Sequence, residues 1–370
     1  MMQEIKRLQE EAIKLLQQLI ATPSFSKEEG QTAVCIRSFL EERHIDCLQV
    51  ANNIIAKNFH FDAAKPVILL NSHHDTVRPN IAYTLDPFEP LIADSKLFGL
   101  GSNDAGACLV SLIAAFVHYY PAQDLPFNLV LATTAEEEIS GKNGLELVLN
   151  SEEFAAFTGY AQEDNWAAIV GEPTLMQMAV AEKGLMVIDA YAQGKAGHAA
   201  REEGENALYI AMQDILFLSA LHMEQVSPFL GPVKTTVTVI ETENKQHNVV
   251  PALCHFVIDV RLNELYTPEA FLAYLELQLK SKLNARSMRL RATAIAMEHP
   301  LVKAGLAEGK TSYGSPTTSD KALMGFPALK MGPGDSARSH MADEFIYIEE
   351  IRDGVSGYIS FLQKAQEYYA

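Results

Sequence analysis

Four short apolar runs, each followed by a turn rich in acidic residues, histidine or glycine, constrain the fold of this chain most strongly. The runs are PVILLNSHHD from Pro66, FNLVLATTAEEE from Phe127, AAIVGEPT from Ala167 and PALKMGPG from Pro327. Helical stretches separate them, including the apolar AGACLVSLIAAFVHYY from Ala105. Near-continuous apolar strands that alternate with helices are typical of an α/β domain with a buried, mostly parallel sheet flanked by helices.

Sheets of this kind bind ligands beyond the carboxyl ends of their strands. In this chain those ends carry carboxylates and imidazoles: His73 and Asp75, Glu136 to Glu138, Glu172, and finally Asp335 and His340. We therefore expect four strands to bring these side chains to one edge of the sheet.

A second pattern begins near Gly184. LMVIDAYAQG, KTTVTVIET, LCHFVIDVRL and MRLRATAIAM alternate polar and apolar residues, as strands with one face in solvent do. With helices expected near 206–223 and 268–282, the order is strand, helix, strand, strand, helix, strand, a ferredoxin-like α+β arrangement. Because 370 residues exceed what one core usually supports, we predict a large domain of 1–183 and 297–370 and an inserted domain of 184–296.

The amino-terminal region is predicted to contain two helices. Helical periodicity extends to about Ile20, and SKEE from Ser26 has the pattern of a capping box that opens a second helix.

Composition excludes several classes of protein. A formal net charge of -18 argues against general affinity for nucleic acid or an anionic membrane. No run approaches the length of a membrane span and the start is not signal-like, so we expect a cytoplasmic protein. The four cysteines are scattered and are expected to be small buried residues: Cys35, Cys47, Cys108 and Cys254.

The segment NSHHDTV contains a candidate metal ligand. His73 and Asp75 are two residues apart, so on a strand they face the same side while His74 faces the other. A carboxylate beside a ligating histidine fixes its tautomer. His73 is therefore the better ligand, and His74 is interpreted as structural.

Asp104 lies in FGLGSNDAGACL, a glycine-rich turn before the apolar helix. The turn lacks the last glycine of a dinucleotide fingerprint and the lysine of a P-loop, which disfavours nucleotide binding. Asp104 has two remaining interpretations, a helix N-cap or a carboxylate that bridges two metal ions.

A set of histidine and carboxylate ligands without thiolate suits zinc or a similar divalent ion. Read alone, the three glutamates from Glu136 to Glu138 are equally compatible with an exposed turn. Two cations would instead neutralise the crowded acids, and two adjacent glutamates could divide ligation and proton abstraction between them.

Along essentially its whole length the chain resembles the co-catalytic zinc amidohydrolases and peptidases that include acetylornithine deacetylase, succinyl-diaminopimelate desuccinylase and glutamate carboxypeptidase. The matching segments, in order, are SHHDTV, LFGLGSNDAG, TTAEEEISG, VGEPT, EKG, AGHAAREEGENAL, HNVVP, DVR, TTSD and GPGDSARSHMADE.

The resemblance implies a zinc-peptidase-like fold whose inserted domain serves as a lid and pairs two subunits. It implies two Zn²⁺ ions per subunit, with Co²⁺ or Mn²⁺ as substitutes. The implied ligands are His73, Asp104, Glu138, Glu172 and His340, with Asp104 bridging. Glu137 would be the general base and Asp75 would orient His73.

The resemblance also assigns residues of the inserted domain. His198 matches the histidine that stabilises the oxyanion, often supplied by the partner subunit. Asn248, Arg261 and Thr318 match positions that contact substrate. Arg261 could bind a substrate carboxylate bidentately, with an ordinary surface ion pair as the alternative.

Two positions depart from the family pattern. Asp104-Ala105-Gly106-Ala107 stands where many members have Asp-Met-Lys-Gly, and this missing lysine is not a ligand in the pattern. Gly99-Leu100-Gly101 resembles acetylornithine deacetylases more than desuccinylases.

We therefore expect a zinc-dependent deacylase of an N-acyl amino acid. The favoured substrate is N-acetyl- or N-succinyl-ornithine or -citrulline in arginine biosynthesis. Alternatives are succinyl-diaminopimelate desuccinylase and a dipeptidase or aminoacylase of the same family. A catalytically silent metal-binding relative is the rival from another class, although every ligand and the base are present.

Overall fold

The computed structural model describes residues 2–161, 165–201 and 203–369. The chain forms two compact units. Unit 1 comprises Met1–Val180, Ile295–Tyr313 and Ser319–Ala370, and unit 2 comprises Ala181–Ala294 and Gly314–Thr318. Unit 2 thus begins and ends slightly before the predicted inserted domain of 184–296, and it gains a segment from the predicted large domain. In the part of the chain that is described, no helix has the length and hydropathy needed to span a membrane.

The elements of the first half of the chain are α1 (Met2–Ile20), α2 (Gly30–Glu41), β1 (Cys47–Val50), β2 (Asn53–Lys57), β3 (Val67–His73), β4 (Leu91–Ala93), β5 (Lys96–Phe98), α3 (Ala107–Tyr119), β6 (Asn128–Thr134), α4 (Leu145–Asn150), α5 (Glu152–Thr158), β7 (Trp166–Val170) and β8 (Met178–Glu182).

The second half contains β9 (Gly184–Gln193), β10 (Gly197–His198), α6 (Ala207–Ser219), β11 (Lys234–Thr242), β12 (Val249–Val250), β13 (Leu253–Leu262), α7 (Pro268–Gln278), β14 (Lys282–Ala285), β15 (Thr293–Ala294), α8 (Pro300–Ala307), β16 (Ser312–Ser315), β17 (Ala328–Lys330), β18 (Phe345–Tyr347) and α9 (Ile348–Tyr369).

Unit 1 is built around a mixed sheet with the order β1-β2-β6-β3-β7-β17-β8. Its four central strands, β6, β3, β7 and β17, run parallel, and the flanking strands are antiparallel. Every residue of β3, β6 and β7 is buried, which explains their near-continuous apolar sequences. The predicted α/β class with a parallel centre is confirmed.

The parallel centre of the sheet positions the polar side chains. β3 ends at His73, β6 at Thr134, β7 at Val170 and β17 at Lys330. Because parallel strands end at the same edge, the acidic turns after β6 and β7 lie beside His73.

The amino-terminal helices agree with the sequence prediction in part. α1 ends at Ile20 as expected, but the predicted capping box at Ser26 is wrong because α2 begins only at Gly30. The Ser26 hydroxyl instead donates to the Asp75 carboxylate at 2.7 Å. The backbone of Lys27 is left-handed, with φ of 77°, so no helix follows directly after Ser26.

Unit 2 has an antiparallel sheet of order β11-β13-β9-β14 with the connectivity of a ferredoxin-like fold. Its core contains residues of the sheet together with residues of α6 and α7, such as Phe256, Phe271 and Leu275. The predicted fourth strand is misplaced: β14 is Lys282–Ala285, and 288–297 contributes only the two-residue β15. β14 buries one side chain, Leu283, and so has almost no hydrophobic pattern to detect.

Candidate functional site

His73 is the centre of a cluster of carboxylates in unit 1. Its Nδ1 lies 2.9 Å from the backbone carbonyl of Asp75. Because a carbonyl oxygen only accepts, Nδ1 donates in this bond and Nε2 of the neutral ring is left with its lone pair. That Nε2 atom is buried and has no hydrogen-bond partner among the described residues. A buried imidazole nitrogen in this state fits a metal ligand.

Three carboxylates surround this nitrogen. The distances from His73 Nε2 are 3.4 Å to Asp104 Oδ1, 3.6 Å to Glu172 Oε1 and 3.9 Å to Glu137 Oε2. Two groups of side chains are compact enough to hold an ion, and both include His73. One joins His73 to Asp104 and Glu138, and the other joins it to Glu137 and Glu172. The donor set of oxygen and imidazole nitrogen suits zinc and similar divalent ions.

Asp104 lies between two histidines. Its Oδ1 faces His73, whereas its Oδ2 is 3.7 Å from Nε2 of His340. The same His340 nitrogen is 3.0 Å from Oε2 of Glu138. The two oxygens of one carboxylate therefore face two separate sets of ligand atoms, as a bridging carboxylate requires.

The carboxylates repel one another in a buried setting. Burial raises the pKa of Glu172 to about 8; the Lys330 ammonium opposes this rise, and the charge of Asp104 adds to it. Burial likewise raises the pKa of Glu137 well above its usual range, with Glu172, Asp320 and Glu138 contributing. Crowding of this kind is relieved by cations.

The same carboxylates raise the pKa values of His73 and His340. Burial lowers the pKa of His73, but the neighbouring carboxylates of Asp104 and Asp75 outweigh burial and raise it well above 6.5, so that a proton competes with a cation for Nε2. The hydrogen bond with Glu138 raises the pKa of His340 to about 9. The carboxylates around both histidines therefore favour positive charge on either side of Asp104.

Asp75 stabilises the turn with three glutamates through two backbone N–H groups. Oδ1 of Asp75 accepts from the Glu137 N–H at 3.0 Å and Oδ2 from the Glu138 N–H at 3.2 Å. Asp75 therefore contacts His73 through its carbonyl and holds the acidic turn through its carboxylate, whose Oδ1 is 3.5 Å from His73 Nδ1.

Glu136, the first of the three glutamates in the turn, is buried. It has a left-handed backbone with φ of 57°, and its carboxylate accepts from the side chain and the backbone N–H of Asn143. It supports the turn instead of facing solvent.

Glu344 holds the loop that carries Asp104. Its buried carboxylate accepts from three backbone amides: Oε1 from Asn103 at 2.8 Å and Asp104 at 2.9 Å, and Oε2 from Gly101 at 2.9 Å. Sequence reasoning missed this role, although Glu344 ends the matched segment GPGDSARSHMADE. The missing lysine after Asp104 leaves this arrangement intact.

Asp320, in the matched segment TTSD, was also missed. It is buried, and its Oδ2 accepts from the Thr134 hydroxyl at 2.7 Å. Burial raises the pKa of Asp320 to about 6.

His74 has the structural role that was predicted. Its Nδ1 lies 2.9 Å from the Thr32 hydroxyl and its Nε2 3.0 Å from the Asn52 carbonyl. Burial lowers the pKa of His74 to about 4, so the ring is neutral near pH 7.

In unit 2, His198 and Asn248 lie together at a short pair of antiparallel strands that are distant in sequence. β10 pairs with β12, and the Ala199 N–H donates to the Asn248 carbonyl at 2.9 Å. His198 is exposed, and its Nδ1 accepts from the Ala200 N–H at 3.1 Å. The neutral ring therefore carries its proton on Nε2, which is free to donate.

Arg261 and Thr318 lie elsewhere in unit 2. Nε and Nη2 of Arg261 donate to the two oxygens of Asp259 at 2.9 and 3.1 Å. Arg261 thus has the ion pair that was its alternative interpretation, and within the described residues Nη1 stays available. The Thr318 hydroxyl donates to the Lys183 carbonyl at 3.0 Å.

Known proteins resemble the chain over most of its length. A succinyl-diaminopimelate desuccinylase of Cereibacter sphaeroides is 28% identical over 275 residues, 71% of each chain. An acetylornithine deacetylase of Myxococcus xanthus is 26% identical over 319 residues, 81% of this chain and 80% of the relative. A solved structure described as a dinuclear metal-binding M20 peptidase of Bacillus subtilis superposes with a TM-score of 0.69 at 18% identity, covering 97% of this chain and 98% of the other.

The family model described as Peptidase family M20/M25/M40 matches residues 69–364, which include all the site residues above. The chain belongs to this family, and it is a hydrolase.

Proposed function

We propose that the protein hydrolyses the amide bond of an N-acyl amino acid with the help of two divalent metal ions, zinc being the expected metal. The position of Asp104 between His73 and His340 carries this proposal, because it offers one carboxylate to two sets of ligands. The Bacillus subtilis neighbour, described as dinuclear, supports the same number of ions.

The ligand set proposed is His73, Asp104, Glu138, Glu172 and His340. When bound, the two cations supply Lewis-acid polarisation of the amide carbonyl and lower the pKa of a water molecule. Asp75 positions His73 and the turn of Glu137 and Glu138, and Glu344 positions Asp104.

Glu137 is the proposed base. Its carboxylate has no hydrogen bond among the described residues, and its raised pKa suits a group that takes a proton and later returns it. It would accept a proton from the attacking water and deliver it to the leaving nitrogen. His198, with its proton on Nε2, is the proposed donor to the oxyanion. The proposed contacts to substrate are Asn248, Arg261 and Thr318.

Two substrate classes are carried forward. N-acetyl- or N-succinyl-ornithine or -citrulline remains the first, in keeping with the Myxococcus relative. Succinyl-diaminopimelate is the second, because desuccinylases are among the relatives that align over 71% of the chain. A cytoplasmic location stays a prediction.

We also propose a homodimer formed through unit 2. Three apolar residues on one stripe of α6 are 47–66% exposed, namely Tyr209, Met212 and Leu216. β11 is an edge strand nine residues long whose Val239 and Ile240 are also exposed. A long open edge beside an apolar helix is suited to pairing with a second copy.

Glu137→Gln is expected to lower kcat by about 10² to 10⁴ while leaving metal binding unchanged, because only the base is removed. Glu138→Gln, one residue away, is the contrasting variant and is expected to lower metal affinity. Metal content by elemental analysis and steady-state kinetics check both. A Glu137→Gln protein with full activity contradicts the proposed base, and one that has lost metal makes Glu137 a ligand.

Glu344→Ala is expected to weaken metal binding by about 10- to 100-fold, because the Asp104 loop loses the acceptor of three amides. Competition with a chelating dye measures affinity, and circular dichroism of the metal-free protein checks folding. Glu344→Gln keeps the shape and one acceptor oxygen and should give a smaller loss. Glu349→Gln, an exposed change on α9, is the matched control. Unchanged affinity in a folded Glu344→Ala protein would refute the positioning role.

A panel of N-acyl amino acids and dipeptides, tested with zinc-loaded protein, checks the substrate. N-acetyl- and N-succinyl-ornithine and -citrulline are expected to be hydrolysed with higher kcat/KM than N-succinyl-diaminopimelate, N-acetylmethionine or a dipeptide. Similar turnover of unrelated acyl amino acids would contradict a biosynthetic assignment.

Leu216→Glu is expected to convert the dimer to a monomer, because a charge replaces an exposed apolar contact. Light scattering coupled to size-exclusion chromatography gives the mass. Leu277→Glu on α7, where the leucine is 83% exposed, is the control and should leave the mass unchanged. A wild-type monomer rejects the proposed dimer.

A further inference from the structure

The loop between α1 and α2, residues 21–29, contacts the turn of three glutamates through one buried side chain, Glu29. Oε1 of Glu29 accepts from the Glu136 N–H at 3.2 Å, across 107 positions of sequence. Glu29 is therefore bonded to the residue that comes directly before Glu137, the proposed base.

Hydrogen bonds compensate the burial of Glu29. Oε1 also accepts from the Lys27 N–H at 2.5 Å, and Oε2 accepts from the side-chain amide of Asn52 at 2.8 Å. A buried carboxylate is unfavourable unless such donors surround it. The three donors belong to the α1–α2 loop, to the turn between β1 and β2, and to the turn of three glutamates. One carboxylate thus joins three separate segments of unit 1.

Carboxylates bind three consecutive backbone amides of the turn. Glu29 accepts from the N–H of Glu136. Asp75 accepts from the N–H groups of Glu137 and Glu138. The backbone on both sides of the proposed base is therefore fixed by acceptors from outside the turn.

The α1–α2 loop contacts this arrangement a second time. The Ser26 hydroxyl donates to the carboxylate of Asp75 at 2.7 Å. Between Ser26 and Glu29 lies Lys27, an exposed residue with a left-handed backbone. Left-handed residues other than glycine are uncommon, and they cluster at functional sites.

The two glutamates of the proposed mechanism differ in how their carboxylates are held. Oε2 of Glu138 is 3.0 Å from Nε2 of His340. The Glu137 carboxylate has no hydrogen bond among the described residues, so its position depends on the backbone of the turn. A shift of that backbone is therefore expected to displace the proposed base more than the proposed ligand.

We propose that Glu29 is a positioning residue for Glu137 and that it acts through the backbone amide of Glu136. The proposal rests on the proposed function, because it takes Glu137 to be the base. The family model matches from residue 69 onward and so does not include Glu29.

Glu29→Asp separates positioning from folding. Glu29 is the N-cap residue of α2, and its side chain makes no cap hydrogen bond. Aspartate is a preferred N-cap residue, and its shorter carboxylate reaches the first amides of α2. We therefore expect the variant to keep the helix and to lose the bond to Glu136.

Glu29→Asp is expected to lower kcat roughly 10- to 100-fold, because a displaced base is poorly aligned with the attacking water. KM and metal affinity should change little, because Glu138 and the other proposed ligands keep their contacts. Steady-state kinetics of the zinc-loaded protein and competition with a chelating dye measure these quantities. Unchanged kcat, or a metal affinity that falls by the same factor as kcat, overturns the proposal.

Two further variants accompany this one. Glu29→Gln keeps the length and one acceptor oxygen, and the Asn52 amide can turn its own oxygen toward the new N–H. It should therefore retain most of kcat, and a loss as large as that of Glu29→Asp counts against the proposal. Glu28→Asp is the same substitution at the exposed neighbouring residue and should leave kcat unchanged.

Hydrogen exchange separates this proposal from the proposed function. In the zinc-loaded Glu29→Asp protein, a peptide spanning residues 135–141 is expected to exchange its amide hydrogens several-fold to about tenfold faster, because the Glu136 N–H loses its acceptor. Peptides from α2 and β6 should exchange as in the wild type. Unchanged exchange in residues 135–141 refutes the positioning role even if kcat falls. If the wild type hydrolyses no N-acyl amino acid, the proposed function fails, and the exchange result still decides whether Glu29 fixes the turn.

Discussion

Negative charge buried around His73 is the constraint on which unit 1 depends. Asp104, Glu137 and Glu172 approach one imidazole nitrogen within 3.9 Å, in surroundings that raise the pKa of the two glutamates. Burying carboxylates together is unfavourable unless positive charge joins them. The parallel centre of the sheet enforces the crowding, because its strands end at one edge whatever follows them. A fold that concentrates acids in this way stabilises bound cations.

Hydrogen bonds divide the acids of the site into two kinds. Asp75 and Glu344 accept hydrogen bonds from backbone N–H groups, and Glu136 accepts them from Asn143. These carboxylates therefore stabilise turns. Glu137 and Glu172 have no hydrogen bond among the described residues. The first kind fixes the backbone from which the second kind projects. This division explains how three consecutive glutamates in one turn have different tasks.

The sequence predicted those parts of the site that depend on strand ends. His73, Glu138 and Glu172 each follow a buried apolar run, and periodicity together with matched motifs identified them. The contact between Glu344 and Asp104 could not be predicted in this way. It joins residues 240 positions apart, and its donor is a backbone N–H, which leaves no pattern in the sequence. Ser26 shows the opposite error, since its local capping pattern does not reveal that the backbone of the next residue, Lys27, is left-handed. The fourth strand of unit 2 was misplaced because an edge strand with one buried residue has little hydrophobic pattern.

The net charge of -18 does not show where like charges lie close together in the two units. Unit 1 concentrates carboxylates around His73, whereas the sheet of unit 2 places Lys234 opposite Arg261. Neither arrangement is favourable for the fold alone, because each sets like charges close together. The cluster of like charge in unit 1 is therefore best explained by the metal ions that we propose it binds.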